Sequence, residues 1–266
     1  MNPKTIALIA GQGAAPKLLA QAVPGLTVCE MDGFPCEIGG EEVIRFRFER
    51  LVPFLDELVG RGITHVVFAG ALSRPKIEPE MFDLKTAQLV PRMLGAMQQG
   101  DDATLRAVIE LFAEWDIQTL GIHELLPQLL PPAGLRLGAI SERDEKDAAR
   151  AAAIVAAMGA VDVGQGCVVS NGLCLAVEAQ PGTDAMLDFV SLHKALNPGG
   201  GVFYKAPKPG QDRRIDLPVI GPQTVARVAN AGLAGIVIEA GGVMVLDQAA
   251  TADAATKAGI FLWVRP

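Results

Sequence analysis

The N-terminal half of the chain alternates short apolar runs with helix-forming stretches. The first stretch, KTIALIAGQGAAPKLLAQAV, predicts a strand ending at Gly11, a glycine loop, and a helix with Pro16 in its first turn. Further strands are predicted at LTVCEM, EEVIRFRF, THVVFAG and DIQTLGI, with helices over 50–61, 84–98 and 102–114. Strands that alternate with helices at these intervals indicate a parallel sheet with helical crossovers.

The second half mixes hairpins with helices. Ser141 is predicted to cap a long alanine-rich helix, and hairpins are predicted at GCVVSNGLCLAVEA and GIVIEAGGVMVLD. A stretch rich in proline and glycine separates the halves and is the predicted linker. The expected fold class is α/β, with a Rossmann-like parallel-sheet domain over residues 1–130, a linker over 131–140 and a mixed α/β domain over 141–266.

The composition excludes several classes of function. Half of the 266 residues are hydrophobic, which is enough for a full core, and the formal net charge is −7. A negative chain is a poor general binder of nucleic acid, because such binding needs a basic surface. The sequence holds no apolar run long enough to span a membrane or to form a signal peptide, so we expect a cytoplasmic protein. Isolated histidines and the lack of a C-x-x-C pair argue against zinc.

Positive charge is concentrated in residues 204–221, YKAPKPGQDRRIDLPVIG. Four of the eight Lys and Arg residues that follow Arg150 are in this segment, namely Lys205, Lys208, Arg213 and Arg214. Pro207 and Pro209 restrict the backbone on both sides of Lys208. A stiff cationic segment beside carboxylates predicts an anion site suited to phosphoryl chemistry. The alternative is a solvated charged surface.

The first glycine loop, GQGAAP, can present helix amides to a phosphate through Gly11 and Gly13. The third glycine of the dinucleotide-binding fingerprint is missing. Glu30, near the end of the second strand, keeps a nicotinamide-dependent oxidoreductase open as an alternative. A tight turn without any ligand is the structural alternative for the loop.

Other polar turns could contribute to a site. Thr183 is a natural N-cap, and Asp184 in the following turn could either favour the helix dipole or hold a divalent cation. Gln165 lies in a Gly-Gln-Gly turn, and Asp101 and Asp102 follow a glycine as caps or as ligands.

Six motifs spread over the chain carry a family resemblance: LIAGQGAAP, FAGALSRP, DVGQG, VEAQPGTDAML, KAPKPGQDRRIDLPVIG and AGLAGIVIEAGG. Together they resemble the UDP-2,3-diacylglucosamine pyrophosphatases of the LpxI type, over essentially the whole chain. The resemblance implies a cytoplasmic enzyme of lipid A biosynthesis in Gram-negative bacteria. Such enzymes hydrolyse UDP-2,3-diacylglucosamine to 2,3-diacylglucosamine 1-phosphate (lipid X) and UMP, with substrate bound between two domains.

The resemblance also implies a divalent metal, Mg²⁺ or alternatively Mn²⁺ or Co²⁺, and specific site residues. Asp216 is the implied catalytic residue, and Asp216 and Asp184 are the expected metal ligands. The predicted substrate-binding residues are Gly11, Gly13, Ser73, Arg74, Asp101, Asp102, Gln165, Thr183, Lys205, Lys208, Gln211 and Arg214. The expected partner is an amphiphilic nucleotide-lipid, and contact with the inner membrane and an oligomeric state stay open. A non-catalytic nucleotide-binding protein would use the same loops without needing Asp216.

Overall fold

A computed structural model describes residues 2–38, 43–72, 76–196 and 199–266, without the side chains of Asp101 and Leu196. The chain forms two compact units. The first contains Met1–Pro127 together with Asp212–Ile215, and the second contains Gln128–Gln211 and Asp216–Pro266.

The first unit is built on a five-stranded parallel sheet with strand order β3-β2-β1-β4-β5. Its strands are β1 (Ile6–Ala10), β2 (Thr27–Met31), β3 (Val43–Phe46), β4 (His65–Ala69) and β5 (Gln118–Leu120). The strand order reverses between β1 and β4, which is the position where open α/β sheets bind ligands at their carboxyl ends. The predicted Rossmann-like parallel sheet is confirmed.

In the described part of this unit, the sheet is accompanied by the helices α1 (Ala14–Ala22), α2 (Leu51–Gly60), α3 (Leu84–Gln98), α4 (Asp101–Glu114) and α5 (Ile122–Leu125). The helical spacing of apolar residues in α2 brings Leu55 and Leu58 into the core, where they join Leu111 and Phe112 of α4. Within the described ranges, no helix of the chain is long and apolar enough to cross a membrane.

The second unit contains a six-stranded mixed sheet with order β6-β13-β11-β9-β7-β8 and a separate parallel pair, β10-β12. Its strands are β6 (Arg136–Leu137), β7 (Gly166–Ser170), β8 (Leu173–Val177), β9 (Val202–Lys205), β10 (Val219–Ile220), β11 (Gly235–Glu239), β12 (Met244–Val245) and β13 (Phe261–Arg265). Residues 131–140, predicted as the linker, contain β6, which pairs antiparallel with β13. The mixed sheet confirms the α/β fold class.

Helices cover both faces of this sheet. Among the residues that the structure describes here, the helices are α6 (Glu142–Gly159), α7 (Gly182–Leu192), α8 (Pro222–Asn230) and α9 (Gln248–Ala258). Ala148, Ala151 and Val155 of α6 pack against one face, while α7, α8 and α9 contribute to the core on the other. The predicted N-cap of α6 is confirmed, because the Ser141 hydroxyl accepts the Asp144 N–H and the Asp144 carboxylate accepts the Ser141 N–H.

The predicted hairpin at GIVIEAGGVMVLD is wrong. Its first strand, β11, lies inside the sheet and pairs in parallel with β9 and with β13. Both edges of β11 are therefore occupied, and β12 pairs instead with β10. The local sequence resembles a hairpin because two β-forming runs flank a Gly-Gly pair, but the partner strands come from distant parts of the chain.

The hairpin between β7 and β8 is confirmed, including its two-residue turn. Asn171 and Gly172 both have positive φ, 52° and 77°, as a type I′ turn requires. The buried carboxylate of Asp147 on α6 accepts the N–H groups of Asn171 at 2.9 Å and of Gly172 at 2.7 Å. A helix side chain thus anchors the turn that sets the register of the hairpin.

This anchor generates a stability prediction. Asp147→Ala leaves two turn N–H groups without their acceptor, so we expect a loss of about 2–4 kcal/mol in the free energy of unfolding. Urea denaturation measures the change, with Asp253→Ala as the matched control. Asp253 forms an exposed pair with Lys257 one helical turn away, and its removal should cost less than about 0.5 kcal/mol. Equal losses in the two variants would contradict the anchoring role.

Candidate functional site

The first glycine loop is fixed by the loop that follows β4. The Gly11 N–H donates to Ala69 O at 2.8 Å, and Gln12 and Ala71 exchange two backbone hydrogen bonds of 2.9 Å. A Cβ at Gly11 would lie 2.5 Å from Ala71 O, so only glycine permits this close approach. The glycine at position 11 therefore has a structural reason that is independent of any ligand.

Gly13 differs from Gly11 because no neighbouring atom lies within 4 Å of the place where its Cβ would be. It is the N-cap of α1 with a φ of 100°, and Gln12, Gly13 and Ala14 are exposed to solvent. The first amides of α1 therefore face solvent at the carboxyl end of the central strand β1. This geometry suits an anion, and phosphate binding by this loop stays a prediction.

The geometry around Glu30 does not favour the dinucleotide alternative. Its carboxylate accepts the Cys36 N–H at 2.8 Å and pairs with Arg45 Nε at 3.2 Å. The hydrogen bond from the Cys36 backbone lowers the pKa of Glu30. Both carboxylate oxygens of Glu30 are engaged, one by the loop after β2 and the other by Arg45 on β3. A ribose would have to displace these contacts.

In the second unit, Lys205 ends β9 in a buried charge cluster. Lys205 is 4% exposed, and its Nζ lies 3.4 Å from Oε2 of Glu178, which is 7% exposed. Lys205 Nζ also donates to the Thr183 hydroxyl. Thr183 is therefore not the predicted N-cap: α7 begins at Gly182, and the hydroxyl is engaged by the lysine.

Lys208, the second lysine of the cationic segment, is also paired. Its Nζ lies 2.5 Å from Oδ1 of Asp162, and its side chain is 11% exposed. Asp162 has a positive φ of 56°, a conformation that Asp adopts more readily than most residues. The exposed Val161 and Val163 flank it.

The backbone between these lysines is held by two close contacts between a proline and a glycine. A Cβ at Gly242 would lie 2.6 Å from Cδ of Pro207, and a Cβ at Gly159 would lie 2.6 Å from Cδ of Pro209. Neither glycine needs a positive φ, so their role is to leave room for the prolines. The expectation that the segment is stiff thus has a packing basis in addition to the restricted φ of proline.

Asp216 is half-buried and has a defined orientation. Its Oδ2 accepts a hydrogen bond from the Gln211 side-chain amide, and Oε1 of Gln211 accepts the Lys208 N–H at 2.8 Å. The next two residues, Leu217 and Pro218, are buried. The Gln211 side chain thus connects the predicted catalytic carboxylate to the backbone at Lys208.

The residues Asp212–Ile215, which lie between Gln211 and Asp216 in the sequence, group with the first unit. Arg214 forms a two-point contact with Asp212, with Nε–Oδ1 at 2.9 Å and Nη2–Oδ2 at 2.6 Å. The hydrogen bonds from Arg214 lower the pKa of the Asp212 carboxyl. Lys205, Lys208 and Arg214 are therefore all paired with carboxylates, and the burial of Lys205 excludes a solvated surface for that residue.

The other predicted site residues lie in separate environments. Asp184 is exposed in the first turn of α7, where it pairs with Arg227 at 3.3 Å. Asp101 and Asp102 are the first two residues of α4, whose N-cap is Gly100. Oε1 of Gln165 is buried without a hydrogen-bond partner in the described part of the chain. Ser73 and Arg74 lie outside the described residues.

The sequence analysis missed the two acidic partners Asp162 and Glu178. Both lie within motifs that carry the family resemblance, DVGQG and VEAQPG, and neither has a distinctive spacing from the lysine it meets. Among the described residues, no group of three or more His, Cys, Asp or Glu could hold a metal ion. Burial raises the pKa of Cys29 and of Cys167 to about 12, which does not suit a nucleophilic thiolate.

The fold and the site define a two-unit α/β protein, with a Rossmann-like first unit and, in the second, two lysines paired with carboxylates at and just after the carboxyl end of the interior strand β9. Models of the LpxI N-terminal domain and the LpxI C-terminal domain match residues 5–129 and 132–263. The chain is 38% identical over 284 aligned positions to the UDP-2,3-diacylglucosamine pyrophosphatase LpxI of Caulobacter vibrioides, covering 97% of this chain and 96% of the relative. The chain therefore belongs to the LpxI family of enzymes, and the resemblance inferred from its motifs is confirmed.

The buried pair of Lys205 and Glu178 generates a second prediction. Lys205→Met leaves the Glu178 carboxylate buried without its cation, so we expect a loss of about 3–5 kcal/mol in the free energy of unfolding. The double variant Lys205→Met/Glu178→Gln removes both charges and should recover most of that stability. Urea denaturation of the two variants is compared with Lys257→Met, which breaks an exposed pair. If Lys205→Met costs no more than Lys257→Met, the pair contributes nothing to the fold.

Proposed function

We propose that this chain hydrolyses the pyrophosphate bond of UDP-2,3-diacylglucosamine in lipid A biosynthesis. The products are 2,3-diacylglucosamine 1-phosphate and UMP, formed as water attacks phosphorus and the bond to the bridging oxygen breaks. The observation that carries the proposal is the 38% identity to a named UDP-2,3-diacylglucosamine pyrophosphatase, over nearly the full length of both chains. An amphiphilic substrate of this kind is consistent with a cytoplasmic enzyme that works at the inner-membrane face.

The geometry that supports this chemistry centres on Asp216. Its carboxylate is half-buried and is held by Gln211, whose side chain also accepts the Lys208 N–H. A fixed carboxylate can accept the proton of the attacking water. Lys208 can move from Asp162 to a diphosphate oxygen, because exchanging one anion for another keeps its charge compensated.

We further propose that a divalent cation, Mg²⁺ or alternatively Mn²⁺ or Co²⁺, takes part. Mg²⁺ is commonly held by one or two carboxylates together with substrate phosphates and waters, so Asp216 fits as a single protein anchor. Asp184 could serve as a second ligand only if it exchanged its contact with Arg227. When bound, such a cation offsets the negative charge that develops on the phosphate oxygens.

Asp216 provides the test of this function. With UDP-2,3-diacylglucosamine as substrate and release of UMP as the readout, Asp216→Asn should lower kcat at least about a hundred-fold. The change keeps the size of the side chain and removes the charge. Substrate binding should survive, which a thermal shift with the same substrate measures. The matched control is Asp253→Asn, a similar change in an exposed pair on α9.

Two outcomes would overturn this assignment. If the wild-type chain releases no UMP, the substrate is wrong. If folded Asp216→Asn keeps more than about a tenth of the wild-type rate, Asp216 is not the catalytic carboxylate, and Asp184→Asn becomes the next variant to measure.

Metal removal tests the cation separately. We expect UMP release to vanish in EDTA and to return on addition of Mg²⁺, Mn²⁺ or Co²⁺. Metal analysis of the purified chain and of Asp216→Asn should find weaker retention in the variant, because Asp216 is the proposed anchor. Full activity in EDTA, together with no bound metal, would contradict the proposal.

A further inference from the structure

The side chain of Gln211 links the backbone of the cationic segment to the carboxylate of Asp216. Its Oε1 accepts the Lys208 N–H at 2.8 Å, and its Nε2 donates to Oδ2 of Asp216. The Gln211 N–H in turn donates to Lys208 O at 3.2 Å. Gln211 therefore closes a small turn on Lys208 and reaches Asp216 from it.

The orientation of this amide follows from chemistry. A backbone N–H can only donate, so the oxygen end of the Gln211 side chain must face Lys208. The NH₂ group then faces the carboxylate, which accepts hydrogen bonds when ionised. The amide oxygen could not donate to the Asp216 carboxylate, and the NH₂ group could not accept the Lys208 N–H, so only this orientation satisfies both partners.

The backbone at Lys208, to which the Gln211 side chain is hydrogen-bonded, is itself held in place. Pro207 and Pro209, which flank Lys208, pack against Gly242 and Gly159. The backbone N–H that orients Gln211 thus belongs to a segment that the loop between β11 and β12 and the end of α6 hold in place. Gln211 transmits that position to Asp216.

We propose that Gln211 is a positioning residue that fixes the orientation of the Asp216 carboxylate, and is not a direct contact of the substrate. The proposal rests on the function proposed above, in which Asp216 is the catalytic residue. Residues that hydrogen-bond to a metal-ligating carboxylate, the role also proposed for Asp216, commonly contribute about ten- to a hundred-fold to metal affinity or activity. Because Gln211 acts through Asp216, it should affect the rate of the reaction more than the binding of the substrate.

A double-mutant cycle tests this role. Gln211→Leu should lower kcat for UMP release about ten- to a hundred-fold, with KM changed less than about three-fold. In the Asp216→Asn background, the same change should alter the residual rate less than about two-fold, because the carboxylate that Gln211 orients is already gone. Gln98→Leu, at the exposed end of α3, is the matched control and should leave the kinetics unchanged.

A second variant separates the loss of the contact with Asp216 from the loss of the turn between Lys208 and Gln211. Gln211→Glu keeps an oxygen for the Lys208 N–H and replaces the donor that faces Asp216 with an acceptor. It should fold like the wild type, as judged by its melting temperature, and lose at least as much kcat as Gln211→Leu.

The possible failures are distinguishable. If the Gln211 variants keep wild-type kinetics, or if Gln211→Leu lowers the rate equally with and without Asp216, Gln211 does not act through Asp216 and the inference is overturned while the proposed function stands. If Asp216→Asn is itself active, the catalytic assignment fails, and the positioning role fails with it.

Discussion

The close packing of two prolines against two glycines is the constraint on which the candidate site of the second unit depends. Pro207 occupies space beside Gly242, and Pro209 occupies space beside Gly159. These contacts fix a segment that otherwise has little regular structure after β9 ends at Lys205. The positions of Lys208 and Gln211, and through Gln211 that of Asp216, follow from this packing.

Charge compensation is the second organising feature of the cationic segment. Lys205 is buried against Glu178, and Lys208 is nearly covered beside Asp162. A buried lysine without an anion would be costly, so each acidic partner helps to keep a cation in a poorly solvated place. An acidic chain can therefore concentrate cations locally, because carboxylates that are already in position compensate their charge.

The sequence predicted well those features that local periodicity or chain order determines. The strands and helices of the first unit, the Asn171-Gly172 turn and the cap at Ser141 all depend on neighbouring residues. The pairing of β12 with β10 was missed, because a local pattern does not reveal that both edges of β11 are occupied. For the same reason the sequence identified Lys205 as a candidate without indicating that Glu178, from the neighbouring hairpin, would meet it.

The buried anchor of the β7–β8 turn has a consequence for the chemical ageing of the protein. Asn-Gly sequences are prone to deamidation, which begins when the glycine backbone nitrogen attacks the asparagine side chain and closes a succinimide ring. Here the Gly172 N–H is bonded to Asp147, and the Asn171 side-chain amide donates to the Ser170 hydroxyl at 3.0 Å. Both reacting groups are thus held by other hydrogen-bond partners. The folded state therefore protects Asn171 from deamidation, which requires the turn to open.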